Sequence, residues 1–319
     1  MTENQMKHPF RKIKSTLRQY REARKLMRAP GYRFVRAFSP GHYYSPVPSE
    51  DDIEEIVFYA DKKNVKELPG INLREVYQIS LIEEFRKIYG ELPWPHEGED
   101  ADEKFRYRFD NIYFSYGDAV TLYLMMRHFE PKRIIEVGSG FSSGAMLDVD
   151  ERFLDGETEF TFIEPYPERL RELLFDEDLD RVSILNQPVQ KVDLSEFERL
   201  KDGDILFIDS SHVSKTGSDV NFLIHCVLPA LKPGVIIHFH DIFWPFEYPK
   251  KWLKSGRAWN EAYLVRAFLQ YNAQFEILFF NSFMEHQHRK MLREKLPLML
   301  RQPKGKMTFG NSSLWLRKK

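Results

Sequence analysis

The sequence predicts an α/β fold in which a largely parallel sheet is covered by helices on both faces. From residue 133 onwards, short apolar runs bounded by turn residues alternate with amphipathic helical segments, which is typical of parallel strands joined by crossover helices. The first of these runs ends in the glycine-rich segment EVGSGFSSG, residues 136–144. Sheets of this kind bind ligands beyond the carboxyl ends of their strands, so this segment is the first candidate for a site.

The composition excludes several classes of protein. The 319 residues are 42% hydrophobic, which is enough for a large core and argues against intrinsic disorder. A net charge of −1 gives no global basic field for nucleic acid. The single cysteine, Cys226, excludes an intramolecular disulfide and any multi-cysteine metal site, and it suits a reducing compartment. No apolar run reaches the roughly 20 residues of a membrane span, and no secretory signal is evident, so we expect a cytoplasmic protein.

Residues 1–28 form a basic arm, with nine basic residues against two acidic ones. Four apolar side chains recur in it at helical spacing: Phe10, Ile13, Leu17 and Tyr20. Two interpretations are open. The arm is either a solvated or self-packed helix, or a peripheral contact with a partner or with an anionic surface such as the inner membrane.

The chain is predicted to divide into an extension over residues 1–110 and a larger domain over residues 111–319. The extension contains an aromatic and proline-rich loop at 38–48 and two helices, Asp51 to Asn64, with Ser49 as its N-cap, and Asn72 to Tyr89. The acidic segment at 93–103 is predicted to be a surface loop or boundary.

The larger domain opens with a helix from Asp118 to Phe129 and then alternates strands with helices. Seven strands are predicted, at Arg133–Val137, Glu159–Glu164, Val182–Asn186, Asp204–Asp209, Val235–His240, Phe275–Asn281 and Ser312–Leu316. Helices are predicted near Ser142–Phe153, Pro167–Phe175, Ser195–Leu200, Ser218–Leu231 and Trp259–Tyr271. A helical insertion, His286 to Leu300 within about 284–308, separates the last two strands.

The glycine-rich segment and the end of the second strand together indicate a nucleoside-containing cofactor. Gly138 and Gly140 let the backbone turn sharply and approach a ligand that faces the N-terminus of the next helix. Glu164 closes the second strand, where an acidic side chain can accept both hydroxyls of a ribose. A dinucleotide fingerprint requires a third glycine, but Ser143 stands there, which disfavours a nicotinamide dehydrogenase.

These residues resemble the cofactor signature of the Rossmann-like S-adenosylmethionine-dependent methyltransferases. The resemblance extends over residues 38–319, through FIEPYPERL, DILFIDSSHVSKTGSDVNF, HFHDIFWPFEYP and SSLWLRK. Within the family, the chain is similar to a largely uncharacterised bacterial subgroup. It implies a seven-stranded sheet in the order 3-2-1-4-5-7-6 with the seventh strand antiparallel. It also implies a cofactor shell made of Glu136, Gly138, Ser139, Gly140, Glu164 and Asp209. The segment Gln187 to Gln190 lacks the acidic residue that the family often places beside the adenine.

Polar residues end the fourth and fifth predicted strands, next to the same crevice. Asp209, His240 and Asp241 offer two carboxylates and an imidazole, a set that suits a divalent cation such as Mg²⁺ or a softer metal. His212 is the candidate general base, because an unperturbed imidazole titrates near neutrality and a neighbouring cation lowers its pKa. The pattern resembles metal-dependent O-methyltransferases but departs from them at His240, where an acidic residue is usual. An alternative is that His238 and His240 are strand-end histidines whose hydrogen bonds are satisfied within the protein, and that Asp209 caps a helix.

Two other regions are weaker candidates for the site. The aromatic residues Trp244, Phe246 and Tyr248 either stack on a ring-shaped acceptor or pack in the core. Residues of the segment before the first strand are expected to fold over the cofactor: Tyr113, Ser115, Tyr116 and Asp118.

The leading functional hypothesis is O-methylation of a small hydroxylated or glycan-like acceptor, with S-adenosylmethionine as the methyl donor. A divalent cation at Asp209, His240 and Asp241 is an optional part of this hypothesis. The alternatives are a metal-free methyltransferase that acts on another nucleophile, and a non-catalytic module that binds the cofactor. The sequence carries no information on the oligomeric state.

Overall fold

The structure, a computed structural model, describes residues 38–59, 65–95, 104–302 and 310–319. The basic arm at 1–28 and most of the acidic segment at 93–103 therefore lie outside the described residues, and the interpretations of the arm stay predictions. The described residues divide into two compact units, with borders at 59/60, 252/253 and 258/259. The predicted division between residues 110 and 111 stays a prediction.

The sheet has seven strands in the order β3-β2-β1-β4-β5-β7-β6. They span Arg133–Val137 (β1), Glu159–Ile163 (β2), Val182–Leu185 (β3), Ile205–Ile208 (β4), Ile236–Phe239 (β5), Phe275–Phe280 (β6) and Leu314–Lys318 (β7). Strands β1 to β5 pair in parallel, whereas β7 runs antiparallel to both β5 and β6. The predicted fold class, strand order and antiparallel seventh strand are confirmed.

Helices cover the sheet and connect its strands. In the described residues they span Glu50–Tyr59 (α1), Glu75–Ile88 (α2), Tyr116–Phe129 (α3), Phe141–Phe153 (α4), Glu168–Leu173 (α5), Leu194–Glu198 (α6), Asp219–Phe222 (α7), Leu228–Ala230 (α8), Lys250–Lys254 (α9), Glu261–Leu269 (α10) and Asn281–Lys295 (α11). A π-helical turn, Leu223–Val227, joins α7 to α8, so the single predicted helix is interrupted. Short 3₁₀ turns lie at Tyr89–Glu91, Asp176–Asp180, Val189–Lys191 and Pro297–Leu300.

The central strands are buried on both faces, as expected of a parallel sheet between two helical layers. Every residue of β4 and β5 is buried, and Phe207 and Trp315 are fully enclosed. Burial of such large apolar side chains contributes about 1.5–3 kcal/mol each to stability. The rigid strands fix the positions of the polar residues that follow them.

Several predicted element boundaries shift for identifiable reasons. Strand β7 begins at Leu314 instead of Ser312, because the backbone N–H groups of Ser312 and Ser313 donate to the buried carboxylate of Asp118 (2.9 Å each). Helix α10 begins at Glu261 instead of Trp259, because the backbone N–H groups of Asn260 and Glu261 bond to the carbonyl of His212. The predicted N-cap Ser49 is confirmed, since its Oγ accepts from the backbone N–H of Asp52 at 3.0 Å.

The predicted helical insertion starts earlier than the sequence suggested. Helix α11 follows β6 without a connecting loop and is kinked at His288, whose φ of −124° is not helical. Asn281, its first residue, is buried and donates to Thr121 Oγ1 of α3 at 2.9 Å. In the part of the chain that the structure describes, no helix is long and apolar enough to cross a membrane.

Candidate functional site

The loop after β1 lies close against the end of β4. Gly138 has a φ of +83°, its N–H donates to Ile163 O of β2 at 3.0 Å, and Asp209 N–H bonds back to Val137 O at 2.8 Å. A Cβ at position 138 would overlap the carbonyl oxygen of Asp209. Only glycine satisfies both the left-handed backbone and this contact, so the ends of β1 and β4 can lie against each other.

The carboxylate of Glu136 binds the first turn of α4. Its side chain is fully buried, and its carboxylate accepts from Ser142 Oγ at 2.5 Å and from Ser143 Oγ. Burial raises the pKa of Glu136 to about 8, although both hydroxyls oppose this shift. Ser143 Oγ also accepts from Gly140 N–H at 2.9 Å. Glu136 therefore acts through the loop, while Gly138, Ser139 and Gly140 line the cavity itself.

Glu164 connects the second strand to the glycine loop. One carboxylate oxygen accepts from Ser139 N–H at 3.1 Å and the other from Tyr166 N–H at 2.8 Å. Each carboxylate oxygen has two lone pairs, so Glu164 can still accept the two hydroxyls of a ribose. The predicted ribose contact and the shape of the loop thus depend on the same side chain.

Two adjoining cavities open at the carboxyl ends of the strands, with volumes of about 380 and 550 Å³. Both are lined by Gly138, Glu164, Asp209, Ser210 and Ser211. The larger cavity extends past the third strand to Gln190, and the smaller one extends to His212, His240 and Trp259. Because the two cavities share these five residues, together they give room for an elongated ligand.

His212 lies among three carboxylates. Its Nε2 is 3.3 Å from Asp209 Oδ1 and 3.7 Å from Asp241 Oδ2, and its Nδ1 is 2.8 Å from Glu261 Oε2. Burial by itself lowers the pKa of His212, but Asp209, Glu261 and Asp241 outweigh burial and raise this pKa well above 6.5. The expectation of an ordinary or lowered pKa is therefore revised.

The backbone is strained at both strand ends that carry these groups. His212 has a φ of +59° and Asp241 a φ of +57°, and left-handed conformations cost free energy for residues other than glycine. Such strain persists where the surrounding contacts hold it in place. Here it directs the side chains of His212 and Asp241 into the same cavity.

His240 is buried beside this group. Its Nε2 is 3.7 Å from Asp241 Oδ1, and burial lowers its pKa, but the charges of Asp241, Asp209 and Asp118 outweigh burial, so the net pKa shift is upward. Burial raises the pKa of Asp209, but the histidines His240 and His212 reverse this, and its pKa is lowered. Asp209 and His240 thus favour each other's charged form, whereas burial raises the pKa of Asp241.

The three predicted metal ligands, Asp209, His240 and Asp241, do not form a ligand set as arranged. Across residues 38–59, 65–95, 104–302 and 310–319, no three His, Cys, Asp or Glu side chains are grouped to hold a metal ion. Both carboxylates lie close to Nε2 of His212, Asp209 Oδ1 at 3.3 Å and Asp241 Oδ2 at 3.7 Å. The metal-binding role of the three residues stays a prediction.

The weaker candidates separate into two groups. Trp244, Phe246 and Tyr248 are between 1% and 3% exposed and do not line the cavity, so they pack in the core. Tyr113 lines the cavity and stacks on Phe141, with ring centroids 6.0 Å apart. Ser115, Tyr116 and Asp118 are buried behind the site.

Two site residues escaped the sequence analysis. Trp259 lines the cavity and its ring lies 4.4 Å from the ring of His212. Glu261 is 1% exposed and bonds to His212. A glutamate at the start of a predicted helix is ordinarily a solvated first-turn residue, so no local signal distinguishes Glu261.

Comparison with known proteins identifies the class. A family model described as a methyltransferase domain matches residues 135–242. An uncharacterised protein of Archaeoglobus fulgidus is 34% identical over 189 residues, which cover 57% of this chain and 83% of that protein. Residues 135–242 of the chain belong to this methyltransferase domain family. The predicted class, an S-adenosylmethionine-dependent methyltransferase with a Rossmann-like fold, is confirmed.

Solved methyltransferase structures show a distant likeness. The S-adenosylhomocysteine-bound methyltransferase PaMTH1 of Podospora anserina is 16% identical, with a TM-score of 0.41 and coverage of 86% of this chain and 99% of its own. The O-methyltransferase TomG of Streptomyces achromogenes, in complex with S-adenosylmethionine, is 14% identical, with a TM-score of 0.36 and coverage of 72% and 90%.

Substitution of Glu164 tests the predicted ribose contact. We expect Glu164→Ala to weaken S-adenosylmethionine binding about 10–150-fold, since lost hydrogen bonds to a charged acceptor cost about 1.5–3 kcal/mol. Isothermal titration calorimetry measures this loss. The exposed neighbour Glu168, in the first turn of α5, provides a control variant, Glu168→Ala, that should bind normally. Unchanged affinity in folded Glu164→Ala protein would contradict the placement.

Proposed function

We propose that this methyltransferase methylates a hydroxyl group of a small or glycan-like acceptor, with His212 as the general base. The supporting observation is that Nε2 of His212 points between Asp209 and Asp241, inside the cavity that the glycine loop and Glu164 also line. S-adenosylmethionine supplies an electrophilic methyl group on a sulfonium. Groups of this chain orient the acceptor and receive its proton.

The transfer is a displacement at carbon. The acceptor oxygen forms a bond to the methyl carbon while the bond from that carbon to sulfur breaks, which leaves a neutral thioether. The hydroxyl proton passes to Nε2 of His212, and the carboxylates of Asp209 and Asp241, which lie 3.3 and 3.7 Å from this nitrogen, stabilise the imidazolium that forms. His212 must first lose its own proton to solvent, because only the neutral imidazole is a base.

A panel of acceptors tests the proposal directly. The purified protein is incubated with methyl-labelled S-adenosylmethionine and with phenols, sugars and glycan fragments, and the products are analysed by mass spectrometry. We expect a mass gain of one methyl group on a hydroxyl oxygen. Methylation only of nitrogen or sulfur nucleophiles would instead favour the alternative acceptor class.

The proximity of Nε2 of His212 to both Asp209 and Asp241 supports transfer without a metal. We expect full turnover to remain after exhaustive chelation, with elemental analysis to verify that no metal is retained, because the imidazole itself can receive the acceptor proton. Loss of activity on chelation that Mg²⁺ restores would show that the metal-assisted form of the hypothesis is right.

The rate should depend on pH through His212. Its pKa is raised well above 6.5, so the imidazole becomes neutral only as the pH rises through that higher pKa. We therefore expect kcat/KM, which reports the pKa of the free enzyme, to increase with pH, with the midpoint of the acid limb above 6.5. A pH profile of kcat/KM for the acceptor provides the check, and a midpoint at or below 6.5 would contradict the assignment.

A further inference from the structure

Glu261 occupies an unusual place for a carboxylate. It is the first residue of α10 and is only 1% exposed, although an ionised carboxylate is costly to bury without partners. Its Oε2 lies 2.8 Å from His212 Nδ1, and its Oε1 accepts from Ser210 Oγ at 3.1 Å. Both oxygens are thus directed at the segment that follows β4.

The backbone around Glu261 holds the same histidine. The N–H groups of Asn260 and Glu261 donate to the carbonyl of His212 at 3.0 and 3.2 Å, and the ring of Trp259 lies against the imidazole. Three consecutive residues, 259–261, therefore hold His212 in its left-handed conformation, with a φ of +59°. The ring is fixed by contacts from outside its own loop.

The geometry fixes which nitrogen of His212 faces the cavity. An ionised carboxylate can only accept hydrogen bonds, so Nδ1 must carry a hydrogen where it meets Glu261. Nε2 is then the nitrogen directed at Asp209 and Asp241. A neutral imidazole held in this way has its lone pair on Nε2, toward the place of the acceptor hydroxyl.

We propose that Glu261 is a positioning residue that fixes the tautomer and the ring orientation of His212. The proposal rests on the proposed function of His212 as the base. Glu261 acts through His212 and does not touch the acceptor. The arrangement has the same logic as the carboxylate–histidine pairs that orient a catalytic imidazole in unrelated folds.

Proton NMR of the free protein tests the hydrogen bond without any acceptor. A proton in a short N–H···O⁻ hydrogen bond resonates downfield of the amide region, so we expect such a signal in the wild-type protein. It should disappear in His212→Gln, which lacks the Nδ1 proton, and in Glu261→Gln, because a neutral amide oxygen accepts only a weaker hydrogen bond that no longer moves the proton downfield of the amide region. Glu75→Gln is the matched control, since Glu75 contacts His288 at 2.6 Å and not His212. A wild-type spectrum without the signal, or a signal that persists in Glu261→Gln, would overturn the proposal.

Kinetics separate positioning from a merely structural role. We expect Glu261→Ala to lower kcat about 10–100-fold with little change in cofactor affinity, as for other carboxylates that orient a functional histidine. Glu261→Gln should recover part of this loss, because its amide oxygen can still accept from Nδ1–H. Equal kcat in all three proteins, with thermal unfolding to confirm the fold, would contradict positioning. If methyl transfer itself fails in the wild type, the proposed function is wrong, whereas the NMR result still reports on the hydrogen bond.

Discussion

His212→Gln is expected to lower kcat about 10²–10⁴-fold, the usual contribution of a general base. Glutamine has a similar size and can form hydrogen bonds, but its amide does not take up a proton near neutral pH. Cofactor affinity should hardly change, because the predicted ribose contact is made by Glu164 and not by His212. Single-turnover methyl transfer, followed by mass spectrometry, isolates the chemical step.

His225→Gln is the control for this experiment. His225 is exposed in the π-helical turn and does not line either cavity, so its replacement should leave the rate unchanged. Near wild-type single-turnover rates in His212→Gln would exclude His212 as the base. A modest loss of rate accompanied by a lower unfolding temperature would indicate that His212 only shapes the loop.

Gly138→Ala should disrupt the cofactor site. Alanine at position 138 must adopt a left-handed backbone conformation, which costs about 1–2 kcal/mol. Its Cβ must also displace the carbonyl of Asp209. Overpacking of this kind costs a further 1–3 kcal/mol or so, giving a total loss of about 2–5 kcal/mol in the free energy of unfolding. Because the ends of β1 and β4 are forced apart, S-adenosylmethionine affinity should fall at least about 10-fold.

Gly256→Ala separates the two causes. Gly256 has a φ of +86°, close to that of Gly138, but no atom lies within 4 Å of the Cβ position. Its replacement should therefore lose only about 1–2 kcal/mol of unfolding free energy and leave cofactor binding intact. Denaturant unfolding and calorimetric titration measure the two quantities. Equal effects of the two substitutions would show that contact with Asp209 does not shape the site.

The sequence by itself predicted the strands of the sheet and the residues of the proposed cofactor site. Apolar runs such as Ile205–Ile208 are short, continuous and bounded by turn residues, so local hydrophobicity fixes them as buried parallel strands. Gly138 and Glu164 belong to a motif whose spacing follows directly from one strand–turn–helix unit and its neighbour. Information of this kind is contained within about 30 contiguous residues, so it can be read without a tertiary model.

The ends of several elements could not be obtained in this way. Ser312 and Ser313 are predicted to begin the seventh strand, but their N–H groups bond to Asp118, which lies almost 200 residues earlier. Asp118 in turn is fully buried and its pKa is raised by that burial. A hydrogen bond to a distant side chain leaves no periodic trace in the local sequence.

Only the tertiary structure decided the chemistry around His212. The motif placed Asp209, His212, His240 and Asp241 at one edge of the sheet, but it could not show that the carboxylates face the imidazole instead of a common metal position. Glu261 comes from a helix 49 residues further along the chain and raises the pKa of His212 together with Asp209 and Asp241. Electrostatic effects depend on distances of a few ångströms between side chains and on their burial, and these quantities are set by packing and not by spacing along the chain.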